Sequence, residues 1–163
     1  MEPTPIVNKI ISQPFVISGC IIKNGDQFLL VQEARKERGK WNQPAGWLDF
    51  GEKIIDGAKR EAKEETGLEI KITGLLGIYS LIKHQDGKIY HAVKFIFAAE
   101  ALTNDIKFDP EELIAVKWFS LDEIKKLKAE RILRDHDIIN EIQDYLDGKI
   151  YPTEIVDKYY EQV

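Results

Sequence analysis

Residues 46–68 read GWLDFGEKIIDGAKREAKEETGL, and the second half of this stretch carries the helical period. Ile55, Ala58 and Ala62 fall on one helical face, and Gly67 supplies a C-terminal stop. On the same helix Glu61, Glu64 and Glu65 stand at i, i+3 and i+4, so their side chains share about one face beside that apolar edge. Lys59 and Lys63 point to the other side. Like charges at these spacings repel, so the stripe requires a compensating partner. Two partners meet the requirement. One is a lysine or arginine on an otherwise solvated face. The other is a hard divalent cation of the Mg²⁺ type, which takes oxygen ligands and shares them with substrate phosphates.

Outward from the helix, two dipeptides mark hairpins. Asn24-Gly25 separates the apolar run 15–23 from 28–31, and Asp86-Gly87 separates 77–84 from 89–99. Val93, Phe95 and Phe97 alternate with Lys94 and Ile96, which predicts a strand with one strongly buried face. Ile114, Val116 and Trp118 do the same around Ala115 and Lys117. Ser120 with Glu123 makes a capping box ahead of Leu121, Ile124 and Leu127. A third helix is predicted over 138–146, with Ile139, Ile142 and Leu146 inward and Gly148 as its stop. Strands, helix, strands, helix, helix is the order of an α/β domain, a mixed sheet with helices on both faces.

The 46–68 stretch resembles the Nudix box, G-x5-E-x7-R-E-U-x-E-E-x-G-U with U bulky and aliphatic. Gly46, Glu52, Arg60-Glu61, Glu64-Glu65, Gly67 and Leu68 fall in register, while Ala62 replaces the usual branched aliphatic residue. The likeness extends over most of 14–147 and implies the Nudix fold, an α/β/α sandwich with a mixed β-sheet, in a single domain over 1–163. It implies a hydrolase that cleaves a phosphoanhydride in a nucleoside diphosphate linked to another group, by attack of water on phosphorus. Mg²⁺, with Mn²⁺ as a substitute, is the implied cofactor, and Glu52, Glu61, Glu64 and Glu65 are the implied ligands. Glu61, Glu64 and Arg60 are the implied catalytic residues of the motif, Arg60 as an orienter beside four glutamates. Gly46 and Gly51 are expected to relieve loop conformations closed to other residues. The general base is a motif glutamate or an acid of the later loop, where Asp109, Glu111 and Glu112 stand, with Glu112 the expected one among these. Arg35, Lys36, Arg38 and Lys40 precede Trp41 and can meet substrate phosphate, or form a solvated run. Gln43-Pro44-Ala45-Gly46 is similar to a bacterial subgroup with phosphatases for a pyrimidine diphosphate and for nucleoside phosphates. Arg35, Arg38, Gln43 and Gly46 are therefore the expected substrate contacts.

The remaining residues bound the alternatives. Trp47, Phe50, Tyr79 and Tyr90 are candidates to stack on a base, although core or rim positions are commoner for aromatic residues. His84, His91 and His136 lack metal-ligand spacing and read as surface or structural residues. Cys20 reads as a small buried hydrophobe, a poor fit to the isopentenyl-diphosphate isomerases that share this fold and use a catalytic cysteine. A non-catalytic sensor built on the domain would be expected to lose motif carboxylates, which are all present. The chain has 163 residues, 23 Lys+Arg and 28 Asp+Glu, a net charge of −5. That balance argues against a bulk nucleic-acid surface. The longest uncharged stretch, 10–22, has 13 residues including Pro14, too short and interrupted for a membrane span. A single cysteine and no visible secretory signal point to the cytoplasm. Homodimerisation through the N-terminal residues is the macromolecular partnership left open. The four box glutamates nearly account for the acidic excess, so bound Mg²⁺ would turn the most negative site into one that attracts a diphosphate.

Overall fold

The computed structural model describes residues 14–35, 37–85, 87–134, 138–158 and 160–161. Lys36, Asp86, His136 and the N-terminal residues invoked for dimerisation lie outside them. Among the described residues seven strands form one sheet: β1 (Phe15–Asn24), β2 (Gln27–Glu33), β3 (Trp41–Asn42), β4 (Ala45–Trp47), β5 (Ile70–Gln85), β6 (Lys88–Ala101) and β7 (Leu113–Ser120). Among the described residues three α-helices join them: α1 (Ile54–Thr66), α2 (Leu121–Ala129) and α3 (Ile138–Leu146). The order is β3-β2-β1-β6-β5, with β4 added to β1 and β7 to β2. β1 runs parallel to β6 and antiparallel to β2 and β4, so the sheet is mixed.

Alternation along the central strands explains the two layers. Cys20, Ile22, Leu29, Val31, Phe97 and Ala99 face α1, packed with its Ile55, Ala58 and Ala62. Ile21, Phe28, Leu30, Ile96 and Ala98 face the other way, against Ile124 of α2 and Ile138 and Ile142 of α3. Ala62 is fully buried, so the departure from the box pattern still fills the core.

Three local expectations are corrected. β6 is buried on both faces, and Lys94, read as an outward residue, is only 2% exposed because α3 covers it. In β7 the register against β2 shifts between Gln32 and Glu33, which leaves Ile114 as the extra residue. Its side chain is 45% exposed, while Leu113 and Val116 are buried. On α3, Leu146 is 47% exposed. The inward stripe there is Ile138 and Ile142 with the partly buried Tyr145, and it includes Glu141 at 0% exposure. After Gly148 the chain returns to the sheet, where Tyr151 bridges Leu75. Among the described residues no helix is long and apolar enough to cross a membrane.

Candidate active site

α1 is locked to the sheet at its first turn, where the Ser18 hydroxyl donates to the Ile54 carbonyl at 2.6 Å. At the other end Gly67 takes φ 74° and its N–H donates to the Lys63 carbonyl. With Ala58 and Ala62 buried against the sheet, the acidic face turns toward β4 and the loop that follows it. The compensating cation in the structure is Arg60, one residue before Glu61. Its Nε and Nη2 donate to the two oxygens of Glu52 at 2.8 and 3.0 Å. Nη1 donates to Glu61 at 2.7 Å and Glu64 at 3.1 Å, and Nη2 also to the Trp47 carbonyl at 3.0 Å. The hydrogen bonds from Arg60 hold the Glu52 carboxyl below its ordinary value, and Glu52 in turn pushes the guanidinium further up. Glu52 is thus placed as the anchor of Arg60.

Glu65 is held differently. It accepts from the Ala45 backbone N–H at 3.0 Å. Burial, with the charges of Glu61 and Glu33 adding to it, drives its carboxyl well above the usual range. Burial also raises Glu61, against the opposing pull of Arg60. Two carboxyls that resist ionisation on one helix face form a site that gains from a cation. Gly46 adds a cradle beside them, since a Cβ there would stand 2.2 Å from the Glu61 carboxylate. Gly46 does not take a positive φ, so the expectation of a special loop conformation is corrected for it; close approach is the reason for the glycine. Gly51, at φ 80°, does meet that expectation. Among the described residues no three acids converge at ligating distance, because Arg60 stands between them. The donor set is nonetheless all oxygen and fits a hard divalent ion.

One cavity touches the helix through Glu65, and another opens along β4 through Ala45, Gly46 and Trp47. The smaller, about 240 Å³, is lined by Glu33, Arg35, Glu65, Glu112, Leu113 and Arg134. It brings the expected Glu112 and Arg35 to the same space as Glu65. Arg35 lies 3.9 Å from each of Glu111 and Glu112. The larger, about 500 Å³, takes in the expected Gln43 and Gly46, with Trp47 and His84. Arg38 is exposed and lines neither cavity. Of the stacking candidates only Trp47 is placed at a cavity; Phe50 projects into solvent and Tyr79 packs against the α2–α3 side. Cys20 is buried beneath α1, away from both cavities, with its thiol pushed up to about 12 by burial.

Two groups had no signal in the sequence. Arg134 lines both cavities and pairs with Glu33 and Glu37, while Lys40 and Lys83 share Glu37 at 3.7 and 2.7 Å. Below the larger cavity Glu141 accepts from Gln43 Nε2 at 2.8 Å and from Lys94 Nζ at 3.0 Å. An all-oxygen acidic helix face, a cation-rimmed cavity and a loop acid opposite Glu65 suit hydrolysis of a phosphorylated substrate.

Several known proteins resemble this chain in sequence or fold. The NUDIX domain matches residues 14–139. Phosphatase NudJ of Escherichia coli K12 is 30% identical over 146 residues, covering 88% of this chain and 91% of that protein. A Caenorhabditis elegans nudix hydrolase is 35% identical over 136 residues; the match spans 80% of this chain but 34% of the worm protein. A NUDIX hydrolase structure from Nitrosomonas europaea superimposes with a TM-score of 0.80 at 35% identity, covering 90% of this chain and 98% of that one.

Proposed function

The chain belongs to the NUDIX family and is a Nudix hydrolase acting on phosphoanhydrides, and from this premise we propose the substrate class, the metal and the roles of its residues. The substrate is a nucleoside diphosphate, or a related diphosphate, linked to a further group. The larger cavity takes its ring and the smaller one the anhydride. The observation that carries this reading is that Glu65 and Glu112 line one small cavity, with Arg134 lining both it and the larger one.

Glu61, Glu64 and Glu65 would hold Mg²⁺, or Mn²⁺ in its place, which would supply charge neutralisation at the anhydride and acidity for the attacking water. Arg60 keeps Glu61 and Glu64 spaced and oriented through its fork, with Glu52 as its anchor. Arg35 and Arg134 bind phosphate oxygens at the wall of the smaller cavity. Glu112 accepts the proton of the water as its oxygen bonds to phosphorus and the bridging oxygen departs with the leaving phosphate. Support for retained chemistry comes from the intact set Glu52, Glu61, Glu64 and Glu65.

The test is turnover in ¹⁸O-water on nucleoside triphosphates, ADP-ribose, dinucleoside polyphosphates and pyrimidine diphosphates, with and without Mg²⁺. Label in a phosphate product, dependent on Mg²⁺ and lost in Glu64→Gln and Glu65→Gln, is the expected result. No Mg²⁺-dependent turnover across the panel, or full activity in both variants, overturns the assignment.

A further inference from the structure

Gln43 is 1% exposed and lines the larger cavity. A carboxylate only accepts hydrogen bonds, so its contact with Glu141 forces the amide to present Nε2 downward. That fixes which heteroatom is left: Gln43 Oε1 is a buried acceptor with no hydrogen-bond partner. Asn42 Oδ1, in the same lining, is another. Buried acceptors without partners cost stability, and a ligand that donates to them removes that cost. The same lining includes the apolar side chains of Ile17, Trp47, Leu81 and Ile82. A flat ring suits these apolar side chains, and a hydrogen-bond donor on the ring edge suits the unpaired Gln43 oxygen.

We propose that Gln43, its amide direction set by the buried Glu141–Lys94 pair, makes the larger cavity select a nitrogen heterocycle bearing an exocyclic amine, which donates to Gln43 Oε1. Gln43 is the specificity residue; Glu141 and Lys94 are positioning residues that act through it. The inference rests on the reading of this cavity as the seat of the substrate's ring.

Binding, measured on the full chain without turnover, separates it from the hydrolase assignment. Calorimetry compares AMP with purine riboside 5′-monophosphate, and CMP with its 4-deamino analogue, pairs that differ by the amine alone. The wild-type protein is expected to bind the amine-bearing member of at least one pair about tenfold more tightly, one hydrogen bond's worth. Gln43→Leu abolishes that ratio, which is read within each pair so that a change in affinity common to both members cancels. Glu141→Gln, whose new amide can donate as well as accept, no longer dictates the direction of Gln43 and reduces the ratio. Equal binding within both pairs by the wild-type protein, binding of no member, or a ratio that survives Gln43→Leu overturns the proposal. Ring selectivity without Mg²⁺-dependent turnover leaves it standing and removes the hydrolase assignment; turnover without selectivity does the reverse.

Discussion

Replacing Gly46 by alanine separates the chemistry of the site from the stability of the fold. Gly46 sits in β4 opposite Ser18 at a backbone angle open to any residue, so the substitution brings no φ strain. Its new methyl group, however, would stand 2.2 Å from Glu61 Cδ and Oε1 and 2.4 Å from Oε2, where ordinary contact begins near 3.4 Å. The carboxylate must retreat by about 1.2 Å. It is the end of a side chain and can do so, at the expense of its 2.7 Å bond to Arg60. A charge-assisted bond of this kind is worth about 1.5–3 kcal/mol, against a gain of about 0.4–1 kcal/mol from stiffening the unfolded chain. The net loss is then about 1–2 kcal/mol, a fall in Tm of about 2–8 °C for a domain of this size. Activity responds far more strongly, because a displacement of about 1 Å in a reacting group can lower the rate about 100-fold. Phosphate release should therefore fall by about two orders of magnitude and need more Mg²⁺ for half-saturation, while circular dichroism shows a native fold. Gly51→Ala is the counterpart: at φ 80° with no atom within 4 Å of the added Cβ, it should cost about 1–2 kcal/mol of stability and little activity. Turnover by Gly46→Ala within about threefold of wild type, or a chain that no longer folds, refutes the reasoning.

Other perturbations test other parts of the molecule. Glu112→Gln should lower kcat about 10²- to 10⁴-fold, whereas Glu111→Gln, at an exposed position outside both cavities, should stay near wild type in the same assay. Glu141→Ala leaves Lys94 buried without its carboxylate and should destabilise by about 3–5 kcal/mol in urea unfolding; the double replacement Lys94→Met with Glu141→Leu should recover much of this. For Cys20 the unfolded thiol ionises near 9 and the folded one near 12, so below pH 9 it contributes nothing to stability. From 9 to 12 only the unfolded chain gains the thiolate, and stability falls by up to about 1.4 kcal/mol per pH unit. Unfolding curves of wild type and Cys20→Ala should diverge over that range, and parallel curves would remove the buried-thiol assignment.

Much of the architecture was legible because its signals are local. The 138–146 helix, the Ser120–Glu123 capping box and the Gly67 stop depend on residues a few positions apart, and all are found. The hairpins are found too, with the positive φ of the first falling on Gly25, where Asn24 still pairs within the ladder. What failed were inferences of facing. Ile114 turned outward because a bulge in a distant pairing shifted its register, and Leu146 because the inward stripe of α3 runs through Tyr145. Periodicity gives the spacing of a stripe but not which neighbour lies over it.

The site divides along the same line. The box placed Glu61, Glu64 and Glu65 on one face by helical geometry alone, and the partner they demand, Arg60, is their near neighbour in the chain. The contact that holds Glu65 comes from the backbone of Ala45, a group every residue but proline possesses, and so carried no residue-specific sign. Gly46 was visible as a glycine but not as the space for Glu61. Arg134 reaches Glu33 across 101 positions, and Glu141 reaches Gln43 across 98 and Lys94 across 47. A lysine in a strand and a glutamate in a helix read as surface charges until the sheet and α3 are brought together. Only then does desolvation oblige them to pair, and pairing decides which way Gln43 points. The chain by itself determined the acidic helix face and the family chemistry it supports; the packing of α3 on β6 decided the floor of the cavity beside it, because a buried charge acquires its partner only on burial.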